Sequence, residues 1–487
     1  MKWLIYTIRA LLVVFVVVAV SGSNVSASAY NYNHWLEPVP AKDGYKVHPN
    51  GIIYGKDINL TVLQDANPVL ATQIIDLFVT ESNYFVVDKG SGRVGILDKS
   101  FNTVHVFKHF EEITEDGVES RSLIDPRGIF VTSDSEYYIT DYENQAIFVF
   151  DENYAFIKKI TTPDNPTYGT RPFQANKIVL DRAKRIYVTI GNVYDGIVEL
   201  TNDGAFSRFF GVQEVSVNAI DILWRRLMTD TQLERTVLFL PVEYTSLAID
   251  NEGFIYATAT SQSNSPIQRL NSKGIDVLRR NGYVRPIGDV LKYANQPASA
   301  FVSIAVNDYG MYSVVDFANK KIFTYNDEGY LIYVTGGDGD FEGMFKSPTS
   351  VVYDGENLLI SDSVLNTITI FTPTTFGAKV NEAIKLGYMG EYLDVAAIWH
   401  EVIEENANFS YAYIGIGNQY FREKNYKAAM DAFRLAHDKT GYSKAYDQHR
   451  KTVLRDNFPI IGVLAFGVIG ITIIRPVVMD IRKGAKQ

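Results

Sequence analysis

From Ile74 onward, short apolar runs alternate with clusters of Asp, Asn, Gly and Ser at the spacing of strands joined by tight turns. The pattern recurs as a unit of three strands. Ile74–Val79, Tyr84–Asp88 and Arg93–Asp98 make the first unit; Arg127–Val131, Tyr137–Asp141 and Asn144–Asp151 make the second. Lys177–Asp181, Ile186–Thr189 and Gly196–Leu200 follow, then Ser246–Asp250, Phe254–Thr258 and Ile267–Leu270. The last two are Ser303–Asn307, Tyr312–Asp316 and Lys321–Asn326, and Thr349–Asp354, Leu358–Asp362 and Thr367–Phe371. Each is a three-stranded meander, and the connecting segment can add a fourth strand at the outer edge. A small sheet of this kind cannot bury both faces alone. Stacking six radially around an axis covers every face and protects the edges, so the pattern predicts a mainly β fold, a six-bladed β-propeller within residues 30–375.

One insertion breaks the rhythm. At about 213–236, Ile220, Leu223, Trp224, Leu227 and Met228 fall on one helical stripe, with Pro241 beyond. Two readings stay open, a helix packed on the rim and a lid or partner-binding helix.

After Thr375 the apolar period becomes helical. Residues 379–446 read as a small all-α module with a self-match at a spacing of 34: Ala383 with Gly417, Leu386 with Tyr420, Tyr392 with Tyr426, Trp399 with Phe433. Glu391-Tyr392 and Asn425-Tyr426 fall at the expected inter-helix turns, and Ala428 and Ala429 supply small residues for close packing.

Two longer apolar runs flank these parts. Lys2 and Arg9, the run Ala10–Val20 and the small residues Ala27-Ser28-Ala29 read as a signal peptide over residues 1–29, whose cleavage would leave Tyr30 first; an uncleaved anchor helix is the alternative. Phe458–Ile474 carries no charge and continues past Arg475 to Met479. Residues 458–479 therefore read as a transmembrane helix and 480–487 as a cytoplasmic tail, placing the propeller outside. Arg450, Lys451 and Arg455 on the other flank oppose that orientation, and the targeting segment decides it.

Composition narrows the chemistry. The 487 residues carry 56 acidic and 46 basic side chains, a net charge of −10 with no basic stripe, which argues against nucleic acid and does not favour anionic ligands. The absence of cysteine excludes disulfides, thiolate metal sites and cysteine nucleophiles. The 31 Tyr and 28 Phe suit pleated, half-buried strands.

Gly336-Gly337-Asp338-Gly339, Gly343, Phe345 and Pro348 before the last unit, together with the units themselves over roughly Gln73–Thr375, resemble NHL repeats. The 34-residue period resembles tetratricopeptide repeats, here two where three normally stand alone, so the module would lean on its neighbours and act as a peptide groove or a rigid spacer. The whole layout resembles bacterial exported NHL proteins with a helical repeat and a C-terminal anchor. That likeness implies a surface binding or scaffold protein, accessory to transport or envelope processes.

Asp88, Asp141, Asp316 and Asp362 close the second strand of four units, and recurrence at one structural place reads as a turn-capping role. Asp338–Glu342 lacks the twelfth-position ligand of a calcium loop and reads as an inter-blade turn. His105 and His109 lie about 13 Å apart along a strand, too far to share an ion. There is no Gly-x-Ser-x-Gly elbow, no His-Glu-x-x-His and no phosphate-cradling loop. Six-bladed propellers include the gluconolactonase-like lactonases, whose divalent cation sits at the channel; a metal-dependent sugar lactonase is therefore the alternative function, and the only one needing a cofactor.

The principal expectation is recognition without turnover: capture of a protein or glycan at the outer surface. The residues just before the innermost strands would gather at the channel mouth, which nominates Arg127, Asn176, Lys177, Glu243, Tyr244 and Ser347. If the propeller is only a spacer for the helical repeat, partners would survive its deletion.

Overall fold

The computed structural model describes residues 29–114, 117–212, 243–260, 265–290 and 297–484. The expected helix at 213–236 and the expected signal peptide, apart from Ala29, lie outside the described residues. The chain divides into two compact units between Ala378 and Lys379.

The first unit is a six-bladed propeller. Its innermost strands are Ile74–Val79, Pro126–Val131, Ala175–Leu180, Tyr244–Ile249, Phe301–Val306 and Pro348–Asp354, each packed on its neighbours in a closed ring. Every blade is an antiparallel meander. The second strands, such as Tyr137–Asp141, Ile186–Ile190 and Tyr312–Asp316, are buried at every position. Neighbouring blades cover both faces, which is why these strands read as continuous apolar runs instead of alternating ones. A register shift near the start of every innermost strand, for example between Ile74 and Asp76 or between Phe301 and Ser303, turns the next side chain toward the axis.

Blades one, two, three and five complete themselves with a fourth, outer strand from the following segment, and blade four shows three strands among the described residues. Blade six is closed differently. Its outer strand is Tyr45–Tyr54, from the beginning of the propeller, which pairs Tyr54 with Thr367 and Tyr45 with Pro373. A hairpin of Tyr30–Tyr32 against Pro38–Pro40 precedes it. The Tyr30 and Tyr32 hydroxyls both donate to Asp289, which is also ion-paired with Lys321 at 2.7 Å.

The recurrent aspartates are buried turn caps. Asp88 accepts from the amides of Thr72, Gln73 and Ser91, and Asp362 from those of Lys346, Ser347, Val364 and Leu365. Asp141 and Asp316 do the same in blades two and five. Ile190 and Ala259 occupy this place in blades three and four, so no such clamp joins the two loops there.

The second unit contains helices α1 (Thr375–Met389), α2 (Tyr392–Glu405), α3 (Ser410–Arg422), α4 (Tyr426–Leu435) and α5 (Lys439–Gly484), α1 beginning just before the unit boundary. Asn425 caps α4 by accepting from the Ala428 amide. Trp399 of α2 is buried against Phe409 and Tyr411, and Gly415 of α3 lies so close to its indole that a Cβ would sit 2.2 Å from the ring nitrogen. Helix α5 includes the apolar run 458–479. Among the described residues it is the one helix long and apolar enough to cross a membrane.

Candidate functional site

The residue that follows each bulge occupies an equivalent position at the axis: Asp76, Gly128, Lys177, Ser246, Ser303 and Ser350 in blades one to six. Half of this ring is hydroxyl, from Ser246, Ser303 and Ser350; the other half holds two opposite charges separated by a glycine. Lys177 ion-pairs with Asp76, passing blade two, where Gly128 presents no side chain. A Cβ at Gly128 would lie 2.6 Å from the Asn176 carbonyl oxygen, so the close approach of blades two and three itself requires glycine. Thr140 fastens the same junction by donating to that carbonyl at 2.5 Å.

Asp76 also accepts from the Ser350 hydroxyl at 2.9 Å, and Ser350 in turn accepts from the Leu77 amide at 3.3 Å. Ser303 accepts from the Val351 amide at 3.1 Å. Two serines thus tie one innermost strand to the next. Ser246, only 2% exposed, makes no hydrogen bond through its hydroxyl with any described residue.

Below this ring the axis opens into a cavity of about 370 Å³. Its lining combines the polar groups of Asp76, Lys177, Ser246, Ser303 and Ser350 with carbon from Phe78, Phe130, Val179, Ala248 and Val352. It extends to Phe78, Phe130, Val306 and Asn251, the last lying in the turn after the fourth innermost strand. The mouth therefore lies at the turn face, where innermost strands end, and not at the loop face, where they begin. Tyr353 lines it too; its hydroxyl bonds Ser313 at 2.7 Å, and desolvation pushes its ionisation well above the usual range.

Of the six residues nominated from sequence, Lys177 alone lines this cavity. Arg127 falls on the bulge, turned away from the axis; it holds Asp125 at 2.6 and 2.8 Å and lies 4.7 Å from the Tyr142 ring centre. Asn176 occupies the bulge of blade three, and Glu243 accepts from the Asn192 amide at 3.1 Å, so these three lie along the loop face of blades two to four. Tyr244 is buried inside its blade, donating to Gly211 and Gln268, and Ser347 belongs to the loop clamped by Asp362. Asp76 and the three serines belong to no linear motif, although an aspartate amid Ile74–Val79 is a legible anomaly.

The two faces differ in character. Loop-face segments expose Leu63, Val118, Ile124, Tyr194, Phe341 and Val364, with Phe341 76% exposed. Turn-face tips are short and polar, among them Glu81, Glu152, Asn202, Lys273 and Asp308; Ile275 is exposed in one of them, and Val104, Ile157 and Val277 are exposed just beyond the tips. His105 stacks on Tyr154 at 3.9 Å while His109 meets Ser122, so the two histidines do not converge. Among the described residues, no three His, Asp or Glu side chains converge on a common point.

No protein-family model matches the chain, and no curated protein matches it in sequence. In shape it is similar to virginiamycin B lyase from Staphylococcus aureus, at 11% identity and a TM-score of 0.39 over 62% of this chain and 95% of that one. It is also similar to a gluconolactonase from Xanthomonas campestris, at 11% identity and 0.40 over 69% and 99%. A third is a protein of unknown function from Bacteroides thetaiotaomicron, at 12% and 0.39 over 62% and 70%. Each is a likeness in shape, and no chemistry passes from it to this chain.

Proposed function

We propose that this chain is a membrane-tethered binding protein. The propeller, of NHL type, stands on the extracytoplasmic side and captures a protein or glycan at its loop face. The tetratricopeptide-like helices carry it on the span within α5, and the captured molecule is presented to transport or envelope machinery. The observation that carries this reading is the concentration of exposed apolar side chains, Leu63, Tyr194, Phe341 and Val364 on loops and Val118 on an inter-blade hairpin, toward one face. Large apolar side chains gathered on one face favour contact with a partner over open water. Arg127, Asn176 and Glu243 lie along the same face and supply polar contacts.

The test is site-specific photo-cross-linking of the full chain in its own membranes. A photoreactive residue at Phe341 or Val364 is expected to capture a discrete macromolecule that the same residue at Glu152, on the turn face, does not. Equal labelling from both faces, or none from either, would overturn the proposal.

A further inference from the structure

We infer that the axial cavity is a binding site for a neutral, polyhydroxylated small molecule with an apolar flank. At about 370 Å³ it falls within the range of small-ligand pockets, and its lining offers polar and apolar surface in comparable measure, which suits a ligand that carries both. The deep end fixes the polar part of the ligand. Lys177 and Asp76 already neutralise each other, so a charged ligand would bring an uncompensated charge into a largely desolvated space. A neutral ligand meets no such cost. Ser246, a residue only 2% exposed, has a hydroxyl with no partner among the described residues, and the Ser303 hydroxyl accepts an amide while its own proton is unused. Each is free to donate, and Ser246 to accept as well, which matches hydroxyl groups that do both. Toward the mouth, Phe78, Phe130 and Val306 offer only carbon, which suits an apolar flank.

This site faces the turn side and is separate from the loop face, so either assignment stands if the other fails. Its test uses the full chain in lipid nanodiscs, titrated calorimetrically with phenyl β-D-glucoside, methyl β-D-glucoside and phenyl β-D-glucuronide. Phenyl glucoside is expected to bind saturably at one site. The methyl compound, lacking most of the apolar flank, and the glucuronide, carrying a charge, should each bind at least roughly 10-fold more weakly. Ser246→Ala removes a hydroxyl that no described residue uses. It should keep the wild-type melting temperature while weakening phenyl glucoside roughly 3- to 10-fold, the value of one hydrogen bond. No saturable binding, equal binding of all three compounds, or an unchanged affinity in Ser246→Ala would overturn the assignment.

Discussion

Lys177 on the third blade reaches past Gly128 on the second to ion-pair with Asp76 on the first. Both charges are largely buried, with 15% and 9% of their side-chain surface exposed. Removing one leaves the other desolvated and alone. Lys177→Met or Asp76→Asn is therefore expected to cost about 3–5 kcal/mol, and the double variant much less than their sum. A double-mutant cycle by urea unfolding measures this; additive costs would mean that the pair is not coupled.

The glycine between them is a packing requirement. In Gly128→Ala the new methyl meets the Asn176 carbonyl, a backbone atom that cannot swing aside. A loss of about 1–3 kcal/mol is expected, read as a lower melting temperature. An unchanged melting temperature would show that blades two and three can part.

Asp289 joins the N-terminal hairpin to blade five through Tyr30, Tyr32 and Lys321. Burial and the neighbouring carboxylate push both tyrosines well above their usual ionisation range, so they act as neutral donors. Asp289→Ala strands the Lys321 charge and releases both hydroxyls. Limited proteolysis should then cut within residues 30–40 well before it cuts the blades, whereas an unchanged cleavage order would contradict this role.

Asp65 and Arg93 form a two-pronged pair at 2.5 and 2.7 Å, and these bonds, with the Val62 amide, hold the Asp65 carboxyl down at about 2. The folded value lies below the unfolded one, so the contribution is present above about pH 4 and disappears as pH falls toward 2. Urea midpoints should decline over that window in the wild type. Asp65→Asn should be less stable at pH 6 and show a shallower decline; identical slopes would assign the acid sensitivity elsewhere.

In the helical unit, Trp399 fills the space that Gly415 leaves open. Trp399→Ala should cost about 3–5 kcal/mol, concentrated in α2 and α3. Hydrogen exchange would show it as lost protection in those helices with the propeller strands unaffected.

The six blades were legible because each buries both faces, which forces the same apolar strands and capped turns on every unit. The repeated Asp88, Asp141, Asp316 and Asp362 declared themselves by position. The closing strand did not. Within Tyr45–Tyr54, the stretch His48-Pro49-Asn50-Gly51 reads as a turn, and the structure accommodates it as a break between the Phe371–Val47 and Thr369–Ile52 pairs, with Asn50 at a positive φ. The axial ring was illegible for another reason. Asp76, Lys177, Ser246, Ser303 and Ser350 form no linear motif, and a bulge before each one shifts its facing by a residue, so an unbroken two-residue period points it into the blade. Residues just before the innermost strands consequently lie toward the loop face, and Lys177 alone among those nominated lines the cavity.

The pairing of Tyr45–Tyr54 with Thr367–Pro373 also sets an order of events. A chain made from its N-terminus exposes this strand some three hundred residues before its partner exists. Until then its edge is open to any other strand, and the ring cannot lock by nearest-neighbour growth alone. Completion waits on a single long-range search, the step of highest contact order in the molecule, and in that interval the nascent chain depends most on being shielded from its own copies.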